Sequence, residues 1–244
     1  MLRCIRAENR KLRGAVLWLA FLIVPIFPAV MGTFNYLNNL GLLQSEWYSL
    51  WTQHTLFYAT FFYAPLIGVY CSYLWRLEHM GHNWNLIMTA PVRPFALYFA
   101  KFAVACKVTL LTQAWVFVLY LALGKLVAGL PGLPPPEILW WCLRGTLGAL
   151  PVIALQLIFS MVMRSFAAPV LIALGGSVLG LLTNTMDLGL FWPYALMIVG
   201  MNSNQSDDML AGGMAGFAVS TALFLAVFFL LAQQLLTKRD VKAE

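Results

Sequence analysis

The sequence predicts an all-α integral membrane protein with six transmembrane helices, and three observations carry that prediction. The chain has 244 residues, of which 61% are hydrophobic and 10% charged, against about 25% charged in an average soluble domain. Six segments approach the roughly 20 apolar residues that a membrane span needs: 14–33, 54–76, 97–124, 138–163, 166–185 and 214–236. Lys and Arg are distributed unevenly between the segments that join them. With both termini inside, 12 of the 15 basic residues fall on the cytoplasmic side, and Glu46, Glu137, Asp187, Asp207 and Asp208 fall outside. That asymmetry orients the bundle.

The N-terminal residues 1–13 contain Arg3, Arg6, Arg10, Lys11 and Arg13. They read as a basic, partly amphipathic interfacial helix on the inner leaflet. The apolar run Ala15 to Met31 follows without an A-x-A site, so this is a first span rather than a cleavable signal. Pro25 and Pro28 kink it. Thr33 to Thr52 reads as an outer loop whose Trp47, Tyr48 and Trp51 suit an interfacial aromatic belt, and His54 heads span two as an interfacial residue. Pro65 kinks span two.

Residues 78–94 form the polar loop between spans two and three. They hold Glu78, a short amphipathic helix from about His79 to Met88 with apolar Trp84, Leu86, Ile87 and Met88, and the stop Pro91-Val92-Arg93-Pro94. The residue before Pro91 is pushed out of the α region, which ends the helix. A minimal reversal needs only a few residues, so a full helical segment with exposed apolar side chains suggests a docking element. His79 and His82 are spaced i, i+3, but ordinary interfacial polarity accounts for them better than a metal site.

Beyond the loop, Lys101 stands at the foot of span three. Lys107 lies about 9 Å further along a helix, shallow enough to snorkel inward, and Arg144 enters span four from outside at a similar depth. The Pro/Gly connector Leu126 to Glu137 cannot be helical through its proline run. Pro151 kinks span four. Gly175, Gly176 and Gly180 give span five a face that another helix can approach closely. Leu188 to Met201 is apolar but has only 14 residues and contains Pro193. It reads as a re-entrant or interfacial hairpin within residues 186–210, between spans five and six, because a seventh span would place the basic C-terminus outside. Its Trp192 and Tyr194 join the outer aromatics.

The whole chain, 1–244, reads as a single transmembrane domain, since the longest cytoplasmic stretch is too short to fold alone. The net charge of +6 is scattered beside the spans rather than gathered in a patch, which argues against a nucleic-acid partner. Cys4, Cys71, Cys106 and Cys142 are too far apart for a disulfide framework or metal knuckle. There is no Walker A, G-x-S-x-G or H-E-x-x-H sequence, so any energy for uphill work must come from another chain.

Glu78, the LIMTAPVRP stretch and Lys101 resemble the first cytoplasmic loop of ABC-2 type exporter permeases, and most closely the permeases of lantibiotic-immunity transporters. The chain has Gly81-His82 where many ABC-2 members have Gly-Thr. The resemblance implies that the loop is a coupling helix seated on an ABC ATP-binding subunit through Glu78, His82, Trp84, Leu86, Pro91 and Arg93. It implies that ATP and Mg²⁺ are bound by that partner, with no cofactor on this chain and no enzymatic activity of its own. A second permease subunit, identical or a paralogue, is also implied. The expected setting is the bacterial cytoplasmic membrane and the expected cargo an amphipathic peptide, with Trp47, Tyr48, Trp51, Trp192 and Tyr194 as candidate contacts. A drug, lipid or ion as cargo is the first alternative. A membrane-embedded enzyme or sensor is the second, and it lacks converging polar residues.

Overall fold

The computed structural model describes residues 1–80, 93–205, 207, 208, 210 and 212–238. Among them every regular element is helical: α1 (Leu2–Lys11), α2 (Leu17–Ile23), α3 (Ile26–Asn38), α4 (Glu46–Phe57), a π-helical turn (Tyr58–Phe62), α5 (Tyr63–His79), α6 (Pro94–Leu126), α7 (Pro136–Val162), α8 (Ala167–Thr185), a 3₁₀ turn (Gly189–Phe191), α9 (Ala195–Gly200) and α10 (Gly213–Lys238). Six stretches are long and apolar enough to cross a membrane: Leu17–Asn38, Glu46–His79, Pro94–Leu126, Pro136–Val162, Ala167–Thr185 and Gly213–Thr237.

The boundaries depart from the expected ones in one region. Span one runs to Asn38 and span two begins at Glu46, so most of the expected loop Thr33 to Thr52 is helical. Low hydropathy concealed this helix, because Ser49, Thr52, Gln53, His54 and Thr55 are all buried on it. Each of these side chains has a hydrogen-bond partner, though His54 Nδ1 is left without one among the described residues. Thr33 donates to the Ala29 carbonyl and shares a 2.8 Å bond with His54 Nε2, and Asn35 donates to Gln53 Oε1. Gly32 makes that pairing possible, since a Cβ there would lie 2.7 Å from the His54 Cα. His54 is therefore an interior residue and not an interfacial one.

Pro25 separates α2 from α3, as its missing N–H demands. Pro28 sits in the first turn of α3, where that loss costs nothing. Span two is a continuous stretch of 34 residues, about 50 Å long and so longer than a hydrocarbon core of about 30 Å. Within it the π turn at 58–62 precedes Pro65. Ser177 on α8 reaches across and donates to the carbonyls of Thr60 (2.6 Å) and Ala59 (3.1 Å), satisfying backbone groups that the widened turn releases.

Residues 189–203 pack against α7 and α8. All six residues of α9 are buried. Small residues admit it: a Cβ on Gly148 would meet the Leu196 carbonyl oxygen at 2.3 Å, and one on Gly200 the Arg144 carbonyl oxygen at 2.8 Å. On α8, Gly176 lies under the Tyr194 ring and Gly180 against Ala195, while Gly175 faces open space. The glycine face of span five thus receives a segment of the same chain.

Candidate functional site at the foot of spans two and three

α1, α5 and α6 converge on a buried cluster of four charges. α1 is basic along most of its length, yet Glu8 points inward and is 1% exposed. Glu78 lies in the last turn of α5 and is 2% exposed, and Lys101, the eighth residue of α6, is fully buried. Lys101 Nζ donates to Glu8 Oε2 (2.8 Å), to Glu78 Oε1 (2.8 Å) and to the Leu74 carbonyl (2.6 Å). Those three bonds use all three donors of the ammonium. The same ammonium lies 4.9 Å from the Trp75 ring centre, a cation–π distance. Lys11 Nζ closes the ring at 2.6 Å from Glu8 Oε1 and 2.6 Å from Glu78 Oε1.

Two carboxylates and two ammonium groups make the cluster neutral, the condition under which buried charge is tolerable. Burial alone would lower the Lys11 pKa, but the carboxylates of Glu78 and Glu8 outweigh it and raise the pKa above the ordinary lysine value. Lys11 is thereby held charged. A second bond runs from Lys107 to Asn9 Oδ1, so the exposed Lys107, expected to snorkel to the surface, fastens α1 along α6. The turn leading out of α1 uses Gly14 at φ +69°, and Trp18 Nε1 closes it on the Leu12 carbonyl at 2.7 Å.

Sequence reasoning singled out Glu78 and Lys101 but missed Glu8 and Lys11 as their partners. The available signal was an acid, three residues from a lysine, on an otherwise basic helix. Of the other expected coupling residues, His82, Trp84, Leu86 and Pro91 lie outside the described residues. Arg93 is exposed and extended at the N-cap of α6.

The outer aromatics divide into two groups. Trp47, Trp51 and Tyr194 are buried inside the bundle rather than placed at an outer surface. Each polar handle finds an internal partner: Trp47 Nε1 donates to the Pro131 carbonyl (2.8 Å), Trp51 Nε1 to the Met201 carbonyl (2.9 Å), and the Tyr194 hydroxyl accepts from Gln156 (2.7 Å). Tyr120 stacks edge-on to both indoles and donates to the Trp47 carbonyl. Tyr48 and Trp192 are half-buried, with Tyr48 facing Glu137 and Trp192 Nε1 bonded to the Gly176 carbonyl.

Arg144 also departs from expectation. It does not snorkel: it is 2% exposed, with Nε on the Gly200 carbonyl (2.8 Å) and a bidentate pair to Asp208 at 2.9 and 3.1 Å. Asp208 is partly desolvated, which would raise its pKa, but hydrogen bonding to Arg144 prevails and lowers it. Among the described residues no three His, Cys, Asp or Glu side chains converge as a metal site would require.

Six membrane-length helices, fastened to one another by buried charges, define a multi-pass membrane protein. The chain belongs to the ABC-2 transporter family: the family model described as "ABC-2 family transporter protein" matches residues 4–180, from α1 to late in α8. It is accordingly a membrane permease of an ABC transporter, with ATP hydrolysis in a separate ATP-binding subunit. No curated protein and no solved structure matches the chain.

Proposed function

We propose that the Glu8–Lys11–Glu78–Lys101 cluster is the point where force from the ATP-binding subunit enters this permease. The observation that carries this reading is Lys101 Nζ, bonded at once to α1 and α5 from its place on α6. The ATP-binding subunit seats on the loop 78–94, engaging Glu78, His82, Trp84, Leu86, Pro91 and Arg93. ATP and Mg²⁺ stay on that partner. When the loop moves, the cluster makes the ends of α5 and α6 and the whole of α1 move together, and span one follows through the short turn after α1.

In this reading two such permease chains, identical or paralogous, work as a pair in a bacterial cytoplasmic membrane with both termini in the cytoplasm. The cargo is an amphipathic cationic peptide of the lantibiotic kind, expelled for self-protection. The charge that the sequence places at the outer end supports it: Glu46, Glu137, Asp187, Asp207 and Asp208 against Lys125 and Arg144, a balance of −5 + 2 = −3, with Arg144 already committed to Asp208. Half-exposed Tyr48 and Trp192 supply amphipathic aromatic surface at that end. Trp47, Trp51 and Tyr194 serve the peptide path by holding its wall.

Cells carrying both subunits test the reading by survival under a cationic antimicrobial peptide. Glu78→Lys is expected to abolish protection. Tyr48→Ala and Trp192→Ala are expected to weaken it roughly tenfold, the equivalent of about 1.4 kcal/mol, at unchanged transporter abundance. Full protection in both aromatic variants would exclude the peptide contact, and full protection in Glu78→Lys would exclude the coupling role.

A further inference from the structure

The ends of α5, α7 and α8 enclose a cleft of about 320 Å³. Its polar walls are Arg76, His79, Arg164 and the hydroxyls of Ser72, Ser160 and Ser165, and its apolar wall is Met80, Met163 and Phe166. No carboxylate is among the described lining residues. The cleft lies at the N-terminus of the 19-residue α8, where unpaired backbone N–H groups and the helix dipole favour an anion. Ser165 Oγ accepts from the Ala168 N–H at 3.3 Å there. Arg76 lies over the Phe166 ring at 5.8 Å, and His79 Nε2 donates to the Ser160 carbonyl at 2.8 Å. With the basic end placed in the cytoplasm, as the Lys/Arg distribution predicts, the cleft opens at the headgroup level of the inner leaflet.

We infer that this cleft binds a phosphate group, and that the phosphate belongs to an acidic phospholipid of the inner leaflet. Arg76 and Arg164 supply a positive field, the serine hydroxyls and the α8 N-terminus supply hydrogen-bond donors, and the wall of Met80, Met163 and Phe166 receives the glycerol and the first methylenes. Free phosphate has the same anionic chemistry but makes no use of the apolar wall. The site is separate from the Lys101 cluster and does not depend on the proposed cargo.

The test is native mass spectrometry of the full-length chain released from bilayers of equal phosphatidylglycerol and phosphatidylcholine. Retained phosphatidylglycerol is expected on the wild type, and its apparent affinity is expected to fall at least tenfold in Arg76→Gln/Arg164→Gln. Ser165→Asp, which keeps an acceptor for the Ala168 N–H but adds negative charge, is expected to lose the lipid as well. Lys107→Gln, an exposed change on α6 at a lysine predicted for the same leaflet, is expected to retain it. Adding 10-fold excess inorganic phosphate over lipid is expected to displace little. Equal retention in the double variant, equal loss in Lys107→Gln, or full displacement by inorganic phosphate would each overturn the lipid assignment.

Discussion

Lys101 and Glu8 are 93 residues apart in sequence, yet the ammonium and the carboxylate meet at 2.8 Å in a place that solvent does not reach. An N-terminal helix that composition alone assigns to a membrane surface is thereby fastened to the third span. Because Glu78 bonds the same ammonium, the fastening includes the last turn of α5, at the end of span two.

Removing Lys101 leaves two buried carboxylates with only the half-exposed Lys11 between them. Breaking one side of a buried pair costs about 3–5 kcal/mol. Lys101→Ala is therefore expected to lower the thermal stability of the purified permease substantially, and Glu8→Gln to do so by less. The reversed pair Glu8→Lys/Lys101→Glu is expected to recover part of the loss. Thermal unfolding followed by fluorescence-detected size exclusion measures all three, and a Lys101→Ala protein as stable as the wild type would show that the cluster contributes nothing.

The tight seat of α9 on α7 makes a contrast between two glycines. Gly148→Ala places a methyl 2.3 Å from the Leu196 carbonyl oxygen, whereas Gly175→Ala points into open space. Overpacking costs about 1–3 kcal/mol, while Ala is favoured over Gly in a helix by up to about 1 kcal/mol. Gly148→Ala is expected to destabilise the protein and Gly175→Ala to leave it unchanged or slightly more stable, by the same unfolding assay.

The Arg144–Asp208 pair has a pH signature. The folded pKa of Asp208 is depressed, so the pair stabilises the outer segment at pH above the unfolded carboxyl value of about 3.9. That contribution is lost as pH falls through the lower folded value. Hydrogen exchange of residues 195–203 is expected to be slow at pH 6 and to quicken, after correction for intrinsic rates, only below about pH 4. Asp208→Asn is expected to exchange faster at pH 6 and to lose the pH step.

How far the sequence reveals this fold depends on what each signal reports. Six apolar runs give the spans, because the bilayer imposes length and composition directly. Residues 46–53 escaped, because Gln53 and its polar neighbours Ser49 and Thr52 lower hydropathy although the bundle buries them. Trp47 and Trp51 were assigned to the outer surface because an indole near the end of a span has the same composition whether its N–H meets water or the Pro131 and Met201 carbonyls. Glu78 and Lys101 were legible as polar groups at the ends of spans. Their partner Glu8 was not, since an ion pair across 93 residues leaves no periodic trace.

Coupling is tested most directly by distance. Spin labels at the exposed positions Arg3 on α1 and Arg93 at the head of α6, with a reference pair at Arg93 and Thr237, report motion by pulsed electron resonance in the assembled transporter with and without trapped ATP. If the buried cluster moves these elements together, the 3–93 distance stays constant while the 93–237 distance changes, and Lys101→Met makes the 3–93 distance change as well. A 3–93 distance that shifts in the wild type whenever ATP is trapped would contradict the account.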